Sequence, residues 1–247
     1  MSSTALAKTT WVELKMFLRE PGAAFFTLVL PVLLLVLNGT TGSNDRQDTF
    51  GGAGLIDVLV PGYIALVIAT LGLTNVPSLL ATYRERGVLR RLQATPVRPW
   101  TILFAQLLVQ SLVATVGLIV LVALGMTAFG LRAPQAPAAV LIAYIVSVLG
   151  FTAFGFVLAA IIPTARSASA TSFALYLPMI FVSGSVMPRE ALPDWAHRLG
   201  DFLPLTYVVE ALKQPWIDGS WHVAAFGLLA AMVVAGTALS SRLFRWA

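Results

Sequence analysis

Residues 83–100 read YRERGVLRRLQATPVRPW and place five arginines, Arg84, Arg86, Arg90, Arg91 and Arg98, in one short stretch. Charge is scarce elsewhere, because Asp, Glu, Lys and Arg together make up only 11% of the 247 residues. The stretch is bracketed by residues 58–81 and 101–129, and neither run contains an Asp, Glu, Lys, Arg or His. A helix needs about 20 apolar residues to cross a hydrocarbon core of roughly 30 Å. Each arginine at mid-bilayer costs about 2.5–3.5 kcal/mol, so five exceed what the neighbouring apolar residues supply. The stretch is therefore a water-facing connection between two membrane spans.

Working outward, four more uncharged runs appear at residues 21–37, 136–162, 168–186 and 223–239. The chain is 58% hydrophobic with a mean hydropathy of +0.86, too oily to carry the charged surface of a soluble domain. The expectation is an all-α integral membrane protein, a single transmembrane domain over 1–247 with six spans. The first run could serve as a signal-peptide core after Lys8, Lys15 and Arg19, but NGTTGSND follows it without a small-x-small cleavage pattern. It reads as a retained span. No period of 20–50 residues marks a repeat architecture.

Basic residues set the orientation. With both termini on one side, that side holds eleven Lys and Arg and three acids, whereas the other holds five and eight. The positive-inside rule then places the termini and residues 83–100 in the cytoplasm of a cell whose inner (plasma) membrane the chain crosses. The pI near 10.0 belongs to this face rather than to nucleic-acid binding.

Two flanking segments are amphipathic. Over residues 3–20, Leu6, Trp11, Leu14, Phe17 and Leu18 share one helical arc, with Lys8, Lys15 and Arg19 beside it. That pattern predicts a helix lying in the membrane interface, against the alternative of a disordered tail. REPG ends it, and Pro21 suits the first turn of the next helix. Residues 187–221 are too charged to span and too rich in Leu, Trp and Phe for a plain loop. They predict short external re-entrant helices within 191–213, broken at Pro204.

Catalytic signatures are missing. There is no phosphate-binding GxxxxGK[ST] loop, and the glycines at Gly51, Gly52 and Gly54 precede no lysine. The chain has no cysteine, and His197 and His222 lack metal-helix spacing. Ser183 and Ser185 have no His or Lys within a span to act as base. The chain is therefore not expected to be an enzyme by itself. Ion-coupled carriers usually hold a titratable group inside the membrane, and the uncharged runs hold none. Sodium sites built from backbone carbonyls stay open. The polar residues within the runs, Thr74, Asn75, Gln106, Gln110, Tyr63, Tyr144 and Tyr176, read mainly as interhelical hydrogen bonds. Gly155 and Ala159 form a small-xxx-small pair, and Pro31 and Pro178 fall mid-run, where they would bend or loosen a helix.

Within the arginine stretch, RERGVLRRL predicts a short cytoplasmic helix, 84–95. Val88, Leu89 and Leu92 form an apolar knob ringed by Arg84, Arg86, Arg90 and Arg91. Anionic lipid would account for the arginines, but not for the knob or for Glu85. RERGVLRRLQATPV followed by an apolar run resembles the coupling segment of type-2 ABC transporter permeases, in particular their daunorubicin-resistance-like membrane subunits. FVSGSVMPREALPDWAHRLGDFLPLTYVVEALK (181–213) resembles the end of that family's fifth span and its external helices. LREPGAAFFTLVLPVLLLVL also fits the family.

The resemblance implies a half-transporter that pairs with a second permease subunit, the same or different. Two copies of a separate ATPase subunit would carry ATP and Mg, with no cofactor on this chain. It implies coupling residues Arg84, Glu85, Arg86, Gly87, Val88, Leu89, Arg90, Arg91 and Leu92. The cargo it implies is a drug, antibiotic, lipid or glycan. Pro31 and Pro178 would border a lateral opening, and Asn75 and Tyr176 are further candidates for the path or gate. The alternatives are an ion-coupled secondary transporter and, less in keeping with the residues, an intramembrane hydrolase.

Overall fold

The computed structural model describes residues 3–42, 44–88 and 100–243, and among these it is all helix and turn, with no strand. Helix α1 is Ser3–Leu18. Helix α2 is Pro21–Thr41. Helix α3 runs without a break through Leu55–Ala69, Thr70–Asn75 and Val76–Glu85. Helices α4 (Trp100–Ala128), α5 (Pro137–Ile161) and α6 (Ala165–Val182) follow. Two short helices, α7 (Asp194–Gly200) and α8 (Pro204–Ile217), lead to α9 (Val223–Leu243). Residues 89–92, the latter half of the coupling residues expected from sequence, lie outside the described residues.

Five of these helices, α2, α3, α4, α5 and α9, are long and apolar enough to cross a membrane. The fifth uncharged run falls mainly on α6, which has 18 residues and opens with ARSASATS. Its serines, its threonine and Arg166 make it more polar than the other five, which is why it stands apart by composition.

α3 is the axis of the bundle. It is buried along nearly all its length, with α2, α4, α5, α6 and α8 packed around it. The outer helices turn large apolar side chains away from the protein, among them Leu108, Leu112, Val116 and Ile119 on α4. A soluble protein would not show such a surface, and a bilayer requires it. Close helix contact rests on glycine: a Cβ on Gly155 of α5 would lie 2.1 Å from the Gly72 carbonyl oxygen of α3. The small-xxx-small pair thus lets two backbones meet.

α2 and α3 share an irregularity. Phe25–Val29 and Thr70–Asn75 are π-helical turns, each ending two residues before a proline, Pro31 and Pro77. Leu30 N donates to the Phe25 carbonyl and Val76 N to the Leu71 carbonyl, five residues back in each case. Widening the turn accommodates the proline ring and its missing donor. The two wide turns touch, and Asn75 Nδ2 reaches Thr27 Oγ1 at 3.4 Å.

The end of α3 at Leu55 is locked. Asp57 is 3% exposed and accepts from Gly54 N, Asn44 Nδ2, Arg132 N and Arg132 Nη1, all at 2.9–3.1 Å. Asn44 Oδ1 accepts in turn from Ile56 N. Trp216 Nε1 donates to the Arg132 carbonyl at 3.0 Å, tying α8 into the same knot. Nearby, Arg189 pairs with Asp201 at 2.7 Å and Glu210 at 2.6 Å, and Lys213 pairs with Glu190.

Candidate functional site

The other end of α3 carries the residues singled out by sequence. Arg84 reaches across to the end of α5, its guanidinium donating to the carbonyls of Ala159 (2.9 Å) and Ile162 (3.0 Å). The last carbonyls of a helix have no intrahelical donor and carry partial negative charge, so a cation suits them. Its neighbour Glu85 does the reverse. Glu85 Oε1 accepts from Ala165 N (2.9 Å), the first amide of α6, where orphan donors and the positive end of the helix dipole lie. Thr164 caps the same helix through Ser167 N at 3.1 Å. Two adjacent residues of opposite charge thus grip the two sides of the α5–α6 turn.

α3 then stops. Gly87 has φ +65°, a left-handed conformation that glycine adopts without strain, so the chain can leave the helix sharply here. Val88 is partly buried against Val76, Leu80, Tyr83, Ile102 and Ala159. Of the expected apolar knob, Val88 therefore packs inward. Arg86 is exposed and stands at the edge of a cavity.

That cavity, of about 550 Å³, lies between α1, α2, α3, α4 and α6. Its floor is polar. Glu13, 7% exposed, accepts from the Tyr83 hydroxyl, which lies 2.6 and 2.8 Å from its two oxygens, and from Gln106 Nε2 at 2.5 Å. Burial pushes the Glu13 carboxyl above the ordinary glutamate range, and the bonds from Tyr83 and Gln106 pull part of the way back. Gln110, one turn along from Gln106, is buried, and its amide oxygen meets no donor among the described residues.

Among the residues expected to form a path or gate, Asn75 lines this cavity. Tyr176 is buried one step behind it, its hydroxyl 2.8 Å from that of the lining residue Thr70. Pro31 is buried within α2 and Pro178 is exposed within α6, and neither lines the cavity.

Glu13 is the residue that sequence reasoning passed over. The arc drawn through Leu6, Trp11, Leu14, Phe17 and Leu18 does not describe the inward face. In the structure Leu14 and Phe17 pack on the core, but Trp11 (57%) and Leu18 (61%) stay exposed, and Glu13 points in. The available signal was the shared face of Gln106 and Gln110, a polar stripe that needs a partner, together with Glu13 one turn from Phe17.

Comparison with known proteins fits this arrangement. The profile of the ABC-2 type transporter family matches residues 4–215, from α1 into α8. The chain is 28% identical over 181 residues to the probable multidrug ABC transporter permease YbhR of Escherichia coli (strain K12), covering 72% of this chain and 49% of that one. It is 26% identical over 223 residues to the putative transport permease ycf38 of Cyanophora paradoxa, covering 87% and 74%. Nodulation protein J of Sinorhizobium fredii is 32% identical over a shorter 95 residues, 34% of this chain and 36% of that one. The chain thus spans about half the length of YbhR. With its apolar helices and this match over most of its length, the protein is a membrane protein of the ABC-2 type transporter permease family.

Proposed function

We propose that this chain is the permease subunit of an ATP-driven exporter for an amphiphilic substrate. The supporting observation is the opposed pair Arg84 and Glu85 at the mouth of the coupling segment, holding the α5–α6 turn from both sides. A push on residues 84–92 by a partner reaches the ends of α5 and α6 directly through these bonds. The wide turns at Phe25–Val29 and Thr70–Asn75 then offer places where α2 and α3 can flex without breaking a regular ladder.

In this reading α6 is the fifth of six spans, with Ser172 buried in the bundle and Ser169 turned toward α3. Ser169 Oγ lies 3.2 Å from Ser78 Oγ of α3. α1 lies in the interface with exposed Trp11 and Leu18 toward lipid, and Lys15 stands 5.1 Å over the Trp11 ring. Both termini face the cytoplasm of the inner membrane. Two such subunits, identical or not, pair, and each docks residues 84–92 on one of two ATPase subunits that bind ATP and Mg. Pro31 and Pro178 flank the lateral opening, with Asn75 and Tyr176 beside the path.

One observation favours an ion-coupled carrier instead: Glu13 is a buried titratable group of the kind such carriers use. Reconstitution separates the two. The chain with its co-purified ATPase should accumulate substrate only with ATP. Accumulation driven by a proton gradient in vesicles holding the chain alone would favour the carrier. Leu89→Asp should lose the ATPase on purification while the chain still inserts, and full retention of binding and transport would overturn the docking assignment.

A further inference from the structure

The wall of the cavity has a chemical bias. Thr74 and Thr82 line it, and each donates its hydroxyl proton to a carbonyl one turn back, at 2.6 and 2.8 Å. What these hydroxyls offer the cavity is acceptor lone pairs. Glu13 is an acceptor on both oxygens, and its two bonds come from the neutral groups Tyr83 and Gln106. Among the described residues Glu13 joins no ion pair. The buried Gln110 amide oxygen is a further acceptor without a donor. The other charged groups on the lining, Glu20 and Arg86, are both exposed and opposite in sign. The remaining walls mix aromatic and aliphatic side chains, Phe17, Phe26, Val109 and Phe173 among them, with the neutral polar groups of Thr70, Asn75, Ser78 and Ser169. Of these, Asn75 Nδ2 is engaged by Thr27 and the two serine hydroxyls by each other. A space of about 550 Å³ with a floor built on a buried carboxyl group and partly aromatic sides has the size and build of a small-molecule site.

We propose that this cavity binds the primary-ammonium end of an amphiphile, with Glu13 as its counter-charge and the aromatic walls around the start of its apolar tail. This deepens the exporter reading and rests on it for the occupant's role. The occupant's shared chemistry is an alkylammonium, from either a transported amine or the headgroup of phosphatidylethanolamine.

Binding to the full chain in phosphatidylcholine nanodiscs tests this without requiring ATP or transport. The probes are dodecylammonium and the neutral dodecanol, which share one tail. The unaltered chain should bind the ammonium at least about tenfold more tightly, as a charge-assisted hydrogen bond at a buried site supplies. Glu13→Gln keeps the side chain's shape and should abolish the preference while leaving dodecanol affinity unchanged. Phe173→Ala should weaken both probes alike, which reports an intact but shortened pocket. Repeating the measurement in phosphatidylethanolamine nanodiscs separates the sources: a preference that persists points to a transported amine, and one competed away points to lipid. A preference absent from the unaltered chain, or intact in Glu13→Gln, would overturn the proposal. Either failure would leave the exporter reading standing, since ATPase docking is tested elsewhere.

Discussion

At its Asp57 end, α3 meets four donors that converge on one carboxylate, and two loops and helix α8 are tied there. At its Glu85 end the same helix meets a cavity of about 550 Å³, a buried glutamate bonded only to neutral groups, and an amide oxygen with no donor among the described residues. The contacts Arg84 and Glu85 make there are to helix ends rather than to a packed knot. Fully satisfied buried networks hold one arrangement, whereas partly satisfied ones leave room for another. The difference gives the exporter proposal its geometry: under it the Asp57 end is the fixed point and the Arg84 end is where the stroke enters.

Breaking the fixed end should have the largest effect. Asp57→Ala strands two backbone amides and removes the partner of the exposed Arg132 side chain, and is expected to cost about 3–5 kcal/mol, read as a fall in thermal midpoint in detergent. Next comes the close contact that holds α5 to the middle of α3. Gly155→Ala would force its new carbon against the Gly72 carbonyl oxygen and should cost about 2–3 kcal/mol on the same assay. At the Arg84 end stability should change less and function more. Arg84→Ala removes two charge-assisted bonds worth about 1–2 kcal/mol together, because the site is only partly buried. Because the Arg84 guanidinium is turned to the α5 carbonyls, the rest of the docking segment should still hold the ATPase while most transport in vesicles is lost. Glu13→Gln should have the smallest effect on the melt, under about 1 kcal/mol, since it removes a buried charge and keeps its shape. An equal loss of midpoint in Asp57→Ala and Glu13→Gln would erase the contrast between the ends.

Much of the bundle could be read from uncharged runs alone, because a bilayer punishes charge more strictly than any soluble core. The runs at 101–129, 136–162 and 223–239 lie within a few residues of α4, α5 and α9. The run at 168–186 marks α6 as well, although ARSASATS gives that helix a more polar first half than the other five. The proline at Pro31 was visible as a disturbance, but a sequence does not say whether a helix kinks or widens, and Pro77 at the end of a run drew no notice. Arg84 and Glu85 stood out by charge and by family resemblance. Their intrachain partners did not, because the partners are backbone atoms some 75–80 residues away, which no side-chain pattern announces. Glu13 was hidden by its helix: an arc drawn through apolar residues assigns every charge to water, and here the buried charge sits against a polar stripe on α4 that was read separately.

The most direct test of the account places spin labels at both ends of the bundle, which the absence of native cysteine makes clean. One pair, Arg166→Cys with Phe104→Cys, reports the end beside the α5–α6 turn, and the other, Asp48→Cys with Ala133→Cys, reports the Asp57 end. All four positions are exposed. In vesicles carrying the co-purified ATPase, electron–electron distance measurements with and without ATP should show the first pair shifting by several ångströms while the second stays fixed. The first pair unmoved by ATP, or both pairs moving alike, would contradict the claim that the Arg84–Glu85 grip carries the stroke into the permease.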